Sequence, residues 1–407
     1  MTIKDSIRTH LEAERSRQTE FLAELVRVPS DNPAGDCAAH AERAARMFEG
    51  LGFTVERHVV PEALVREHGM ISATNLIVRK RFGDGPVIAL NAHGDVVPPG
   101  EGWTHNPYGA EIVDGWMYGR GVAVSKSDFA TYGFALLALE QLGKPLKGTV
   151  ELHLTYDEEA GGEIGPAWLL SEGLTKPDLA LAAGFSYAVV NAHNGCLHLE
   201  VEVNGRSAHA AKPWTGVDAL EAATNILGAL YTWRASLATR VSAVPGIGAP
   251  QLTVGLIHGG INTNVVPDRV TFRLDRRMVP EEKGDAVEAE LRRVIEGAAQ
   301  ATPAAKVEVR RILLAEPLTP LPGSERLSEA LCREASQVMG VPVTTNGVPL
   351  YTDARHYAAK NIPIVLYGAG PRTIEEANAH RADERLFLPD LYKATEVVAC
   401  ALADVLG

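Results

Sequence analysis

The sequence predicts an α/β protein that carries an inserted α+β module, on three observations. Apolar strands ending in polar residues alternate with helical stretches over the first half; strands of strict period two replace them after about residue 194; and the first texture resumes from about residue 324. Strands apolar on both faces and interleaved with helices belong in a covered sheet whose chemistry collects at the carboxyl ends of its strands. Period-two strands belong in a sheet with one wet face. The 407 residues therefore divide into 1–194, the first part of a larger domain, 195–314, the insert, and 315–407, the second part of the larger domain.

Each element follows from its local pattern. The first thirty residues, ending in VRVPS, lack the apolar core of a secretory signal and read as an amphipathic helix that buries Leu22, Leu25 and Val26. Residues 38–58 read as a helix leading into the strand FTVERHVV. ATNLIVRK, GPVIALNAHGD and GTVELHLTYDEE follow as strands, with a helix over roughly 127–142 between the last two. In the insert, CLHLEVEVNG alternates, GVDALEAATNILGALYTWRASL reads as a helix, and QLTVGLIHGG and DRVTFRLDRRM alternate again. A helix over 281–299 and the strand KVEVRRILL close the insert, and NIPIVLYGAG with a last helix completes the larger domain.

Composition narrows the function. The chain is 46% hydrophobic, enough for a core in each domain. Its net charge of -12, with no Lys/Arg block, argues against nucleic acid or an anionic membrane as a partner and favours a small-molecule substrate. No stretch approaches the roughly 18 apolar residues of a membrane span, so a cytoplasmic protein is expected. Cys37, Cys196, Cys332 and Cys400 are dispersed without CxxC spacing and read as buried, reduced thiols rather than metal ligands.

Three stretches carry chemistry. NAHGDVV places His93 and Asp95 two apart at a strand end, which suits a ligating imidazole with a carboxylate on its other nitrogen; alone it equally suits a structural pair. LTYDEEAGGEIG places Glu158 and Glu159 side by side, so that one faces a metal and the other a water, against the alternative of a solvated acidic turn. ANAHRADERL offers His380, by itself an ordinary loop histidine.

Together these stretches resemble one family over nearly the whole chain: the co-catalytic metallopeptidases and deacylases that include carboxypeptidase G, acetylornithine deacetylase, succinyl-diaminopimelate desuccinylase and aminoacylase. The resemblance rests on SDNPAGD, HGDVVP, GRG with its following Lys, DEEAGG, NGRSAHAAKPWTGVDAL, GGINTNVVPD, LDRRMVP, YTDAR and AHRADE, in that order. It implies a zinc-peptidase-like catalytic domain with a mixed sheet between helices, and an inserted α+β sandwich that serves as a dimerisation and lid domain. It also implies that His93 binds one metal, that Glu159 and His380 bind the other, that Glu158 is the general base and that Asp95 partners His93. His209 in RSAHAAKP matches a histidine that reaches the neighbouring subunit's site and holds the substrate oxyanion. Asn264 matches a substrate-contacting asparagine. Arg277 matches the family's DxR position, where an ion pair with Asp275 is an equal alternative.

Two family carboxylates are missing. Val124 stands where the family's bridging Asp follows GRG, and Gly184, Phe185 and Ser186 stand where it has a Glu or Asp ligand ahead of the insert. Two divalent cations without those carboxylates would leave excess positive charge in a partly dry cleft, at several kcal/mol per charge. One ion per chain is therefore expected, zinc or manganese with cobalt as a further possibility, in a His₂Glu set of His93, Glu159 and His380. The family assigns His93 to a different ion from the other two, about 3.5–4 Å apart in such sites, so a further ligand is needed. Asp128, four residues past Val124, is the candidate, with a role at the helix dipole as its alternative. His153 and His193 are weaker candidates.

The function expected from these readings is metal-dependent hydrolysis of a linear C–N bond in a small carboxylated substrate, by a homodimer. A non-catalytic ligand-binding homologue, or altered chemistry such as deamination in a pocket made less polar by Val124, Phe185 and Tyr187, is the alternative.

Overall fold

A computed structural model describes residues 2–143 and 146–407. The chain forms two compact units, one of Met1–Asn191, Pro320–Asn346 and Thr352–Gly407, the other of Ala192–Thr319 and Gly347–Tyr351.

The first unit is built on an eight-stranded sheet in the order Val55–Val59, Thr74–Arg81, Thr149–Thr155, Val87–His93, Leu179–Ala182, Ile364–Leu366, Val189–His193, Thr345–Val348. The sheet is mixed. Four central strands, from Thr149–Thr155 to Ile364–Leu366, run parallel, and the two strands beyond Thr149–Thr155 are antiparallel. Ile88, Ala89, Leu90 and Ala92 are all buried, the both-faces burial expected of a central parallel strand. Register decides where the chemistry falls: His93 pairs with Thr155, so the two parallel strands end together and their following loops meet.

The helix Lys126–Glu140 is buried on every side from Lys126 to Leu139. It packs against the helices Ile3–Val26 and Leu388–Leu406 and the strand Val87–His93, which accounts for its lack of a polar face. The N-terminal helix Ile3–Val26 starts at a reciprocal cap, Thr2 accepting from the Asp5 amide and Asp5 from the Thr2 amide, and buries Leu22, Leu25 and Val26.

The second unit is an antiparallel sheet in the order Gln251–Gly259, Arg269–Met278, Gly195–Asn204, Lys306–Ala315. Leu197, Leu199, Val201 and Val203 turn inward to a core shared with the helices Ala219–Leu237 and Gly284–Ala299, while His198, Glu200 and Glu202 turn to the other face. A small sheet of Glu111–Val113, Trp116–Tyr118 and Arg385–Phe387 in the first unit has no counterpart in the sequence reading.

Candidate active site

At the paired strand ends of the first unit, His93 is 6% exposed and Asp95 fully buried. The His93 Nδ1 lies 2.9 Å from the Asp95 carbonyl oxygen and 3.4 Å from its carboxylate, which leaves Nε2 for a ligand. The Asp95 carboxylate has other work. It accepts hydrogen bonds from the Glu158 and Glu159 amides, at 3.2 and 3.1 Å, and from Asn32 Nδ2 at 3.0 Å. Asp95 thereby fixes the short 3₁₀ turn Glu158–Ala160 that carries both glutamates.

That turn is also clamped from outside. His356 donates to the Gly161 carbonyl at 2.9 Å, and Arg355 donates to the same oxygen. Gly162 must be glycine, because its φ is +74° and a Cβ there would stand 2.1 Å from an Asp353 carboxylate oxygen. Asp353 is 5% exposed, and its Oδ2 has no hydrogen-bond partner among the described residues.

The ligand atoms of His93, Glu158 and Glu159 lie within 4.8 Å of one another, and His380 Nε2 lies 3.4 Å from Glu159 Oε1. His380 is more than half exposed, so this side of the cluster is open to solvent. Five carboxylates, Asp95, Asp157, Glu158, Glu159 and Asp353, face two imidazoles. Burial first, then Glu159 and Asp95, pushes Glu158 up to about 7. Burial and Asp95 push Asp157 up to about 8, and burial with Glu158 and Asp157 raises Asp353 well above the usual carboxyl range. Burial alone would pull His93 down, but Glu158, Asp95 and Glu159 outweigh it and raise it well above an ordinary histidine. The carboxylate oxygens of Glu158 and Glu159 beside the His93 and His380 imidazoles offer the nitrogen and oxygen donors that suit a divalent cation.

Asp157 and Asp353 were missed by the sequence reading, although DEE and YTDAR contain or adjoin them. A buried carboxyl outside a ligand pattern has no spacing to betray it.

The turn GRGVAVSKSD, with Val124 where the resemblance led to the expectation of a carboxylate, is tied firmly into the core. Arg120 and Glu384, each 1% exposed, pair at 2.7 Å, and Glu384 also accepts from the Ala123 and Val124 amides at 3.1 and 3.3 Å. Ser125 Oγ accepts from the His93 amide at 3.1 Å, and the buried Lys126 Nζ donates to the Leu25 and Val28 carbonyls.

Asp128 does not join the cluster. The helix begins at Lys126, so Val124 precedes it and the one-turn spacing from Val124 to Asp128 does not exist. Its carboxylate instead accepts from the Ala369 amide at 2.7 Å, and Gly368 is glycine because a Cβ would meet that carboxylate at 2.1 Å. Burial pushes Asp128 up to about 7.

In the second unit, His209 and Asn264 are exposed on neighbouring backbone segments: His209 bridges Val265, and the Ala210 amide donates to the Asn264 carbonyl at 3.0 Å. Arg277 pairs with Asp275 at 3.0 Å and lies over the Tyr351 ring at 5.7 Å. His153 is held in the core between Tyr357 and Glu151, and His193 Nδ1 lies 2.9 Å from the Asn194 carbonyl.

The model of a family described as peptidase family M20/M25/M40 matches residues 89–404. The succinyl-diaminopimelate desuccinylase of Rhizorhabdus wittichii is 30% identical over 400 residues, covering 95% of this chain and 98% of the relative. That of Gluconacetobacter diazotrophicus is 27% identical over 396 residues, covering 94% and 96%. Two solved structures share the fold. Aminopeptidase PepT from Bacillus cereus has a TM-score of 0.74 at 24% identity, covering 97% of this chain and 99% of its own. A dinuclear metal binding peptidase from Bacillus subtilis has a TM-score of 0.71 at 20% identity, with the same coverage.

Proposed function

The chain belongs to peptidase family M20/M25/M40 and is a metallohydrolase of C–N bonds, and from that premise we propose that it hydrolyses a linear amide in a small carboxylated substrate with one divalent cation at the site in the first unit. The observation that carries this reading is the convergence of His93, Glu158 and Glu159 within 4.8 Å on a turn held by Asp95. His93, Glu159 and His380 would hold the cation. When bound, it supplies Lewis acidity for the carbonyl and lowers the pKa of a water.

The chain's own residues do the rest. Glu158, raised toward neutrality by burial and its neighbours, takes the water proton and delivers it to the leaving nitrogen. A cation nearby pulls that value back down and keeps the base ionised. Asp95 holds both glutamates through their amides and leaves His93 Nε2 free to ligate. His209 of the partner subunit steadies the developing oxyanion in a homodimer, and Asn264 and Arg277 take the substrate's polar groups.

The name shared by the curated relatives supports an N-succinyl diamino acid as the substrate class, since a succinyl group carries the extra carboxylate. The test is release of free amine from N-succinyl, N-acetyl and dipeptide substrates by protein loaded with Zn²⁺ or Mn²⁺, with ions counted per chain. Turnover of N-succinyl substrates with one ion in the first unit is expected. A failure to cleave any amide when loaded would overturn the activity, and two ions in the first unit would overturn the single-ion site.

A further inference from the structure

The second unit holds another convergence of ligating side chains, on the sheet face away from its helices. Cys196 and His198 are two apart on Gly195–Asn204 and so point to one face. Across the antiparallel register Asp275 stands opposite His198, and Arg277 opposite Cys196. Cys196 Sγ is 3.2 Å from His198 Nε2 and 3.7 Å from Asp275 Oδ2, and Nε2 is 2.9 Å from Oδ2.

Both neighbours meet the same imidazole nitrogen. A relay in which histidine takes a thiol proton while a carboxylate orients it needs the two partners on opposite nitrogens, so this is no nucleophilic triad. Three donors around one empty point suit a metal instead. Tetrahedral zinc, with bonds of about 2.3 Å to sulfur, 2.05 Å to nitrogen and 2.1 Å to oxygen, separates its donors by about 3.6 Å for S–N, 3.4 Å for N–O and 3.6 Å for S–O. The observed triangle needs to open by no more than about 0.5 Å.

The surroundings agree. Arg277 Nε donates to both Asp275 oxygens, at 3.0 Å to Oδ1 and 3.2 Å to Oδ2, which orients the carboxylate. His198 and Asp275 side chains are 35% and 30% exposed, so a fourth position opens to water.

We propose that Cys196, His198 and Asp275 form a second, separate cation site, selective for zinc-type ions because a thiolate is a poor ligand for Mg²⁺, Ca²⁺ or Mn²⁺. Binding releases the thiol proton to solvent, and thiolate and carboxylate then set two negative charges against the ion's two positive charges and Arg277's one. Cys196 thus departs from its sequence reading as an inert thiol, and the site stands on residues that the proposed hydrolysis does not use as metal ligands.

The experiment is titration of the full chain with Co²⁺, followed by the thiolate-to-cobalt charge-transfer band in the near ultraviolet. The first-unit donors contain no sulfur, and no other cysteine lies in such a cluster among the described residues, so the band reports this site alone. Co²⁺ titrated past the filling of both sites should develop the band to an amplitude of one thiolate-bound ion per chain, and Zn²⁺ should displace it. Cys196→Ser and His198→Ala, checked for folding by circular dichroism, should each lose it, whereas Glu159→Gln should keep it. His198 is partly exposed, so its variant serves if Cys196→Ser does not fold. Absence of the band from the natural chain, or its survival in either variant, overturns the proposal.

Discussion

The loop after Thr149–Thr155 and the turn GRGVAVSKSD are unlike in what they have kept. The loop presents Glu158 and Glu159 and is held by Asp95, Arg355 and His356. The turn has Val124 in place of a carboxylate, yet Glu384, Arg120, Ser125 and Lys126 still fasten it. Ligand and scaffold are therefore separable here. The turn's backbone is fixed by buried partners other than the side chain at position 124, which itself packs partly buried against the core.

The sharpest way to break this comparison is to remove chemistry from the loop that kept it. Glu158→Gln should lower kcat by about 10²–10⁴-fold at unchanged metal content, as loss of a general base does; full activity would strip the loop of its assigned role. Steady-state rates beside elemental analysis decide it.

Removing frame from the turn comes next. Glu384→Gln leaves Arg120 buried and unpaired and should destabilise the first unit by about 3–5 kcal/mol, measured by denaturant unfolding. A loss below about 1 kcal/mol would place the pair among ordinary surface bridges.

Restoring the lost group is a smaller perturbation. Val124→Asp should tighten metal binding by roughly tenfold, about 1.4 kcal/mol, in a chelator competition. Unchanged affinity would mean that the turn no longer presents position 124 to the ion.

The smallest effect concerns Asp128. Its carboxyl sits at about 7 in the fold against an ordinary 3.8, so between those values the folded chain holds more protons than the unfolded one. Stability then falls as pH rises from about 4 to about 7. Asp128→Asn should flatten that slope and leave metal content unchanged; a lost ion would return Asp128 to the site.

Much of this was legible beforehand, and the reasons differ by residue. Central strands such as Val87–His93 announced themselves through continuous apolar runs, and the second unit's strands through alternation, since burial on two faces or one writes itself into local sequence. The small sheet of Glu111–Val113, Trp116–Tyr118 and Arg385–Phe387 did not, because three-residue strands carry no period. Asp128 was misread because Val124 and Asp128 were counted as one helical turn apart, whereas side-chain direction before Lys126 follows the turn, not the helix. The charge count from sequence considered ligands alone, and so left out the buried Asp157 and Asp353, whose carboxyls bear on Glu158 and on each other.

By itself the sequence determined the α/β class and pointed to an insert and to His93, Glu158, Glu159 and His380 as candidates, because hydrophobic period and motif spacing are local properties. Only the tertiary structure decided that Asp95 holds the glutamate turn, that Glu384 fastens a turn some 260 residues earlier, and that Asp275 meets Cys196 and His198. Each of those is a pairing between segments distant in the chain, set by strand register and core packing, and no local pattern encodes which distant residue will stand opposite.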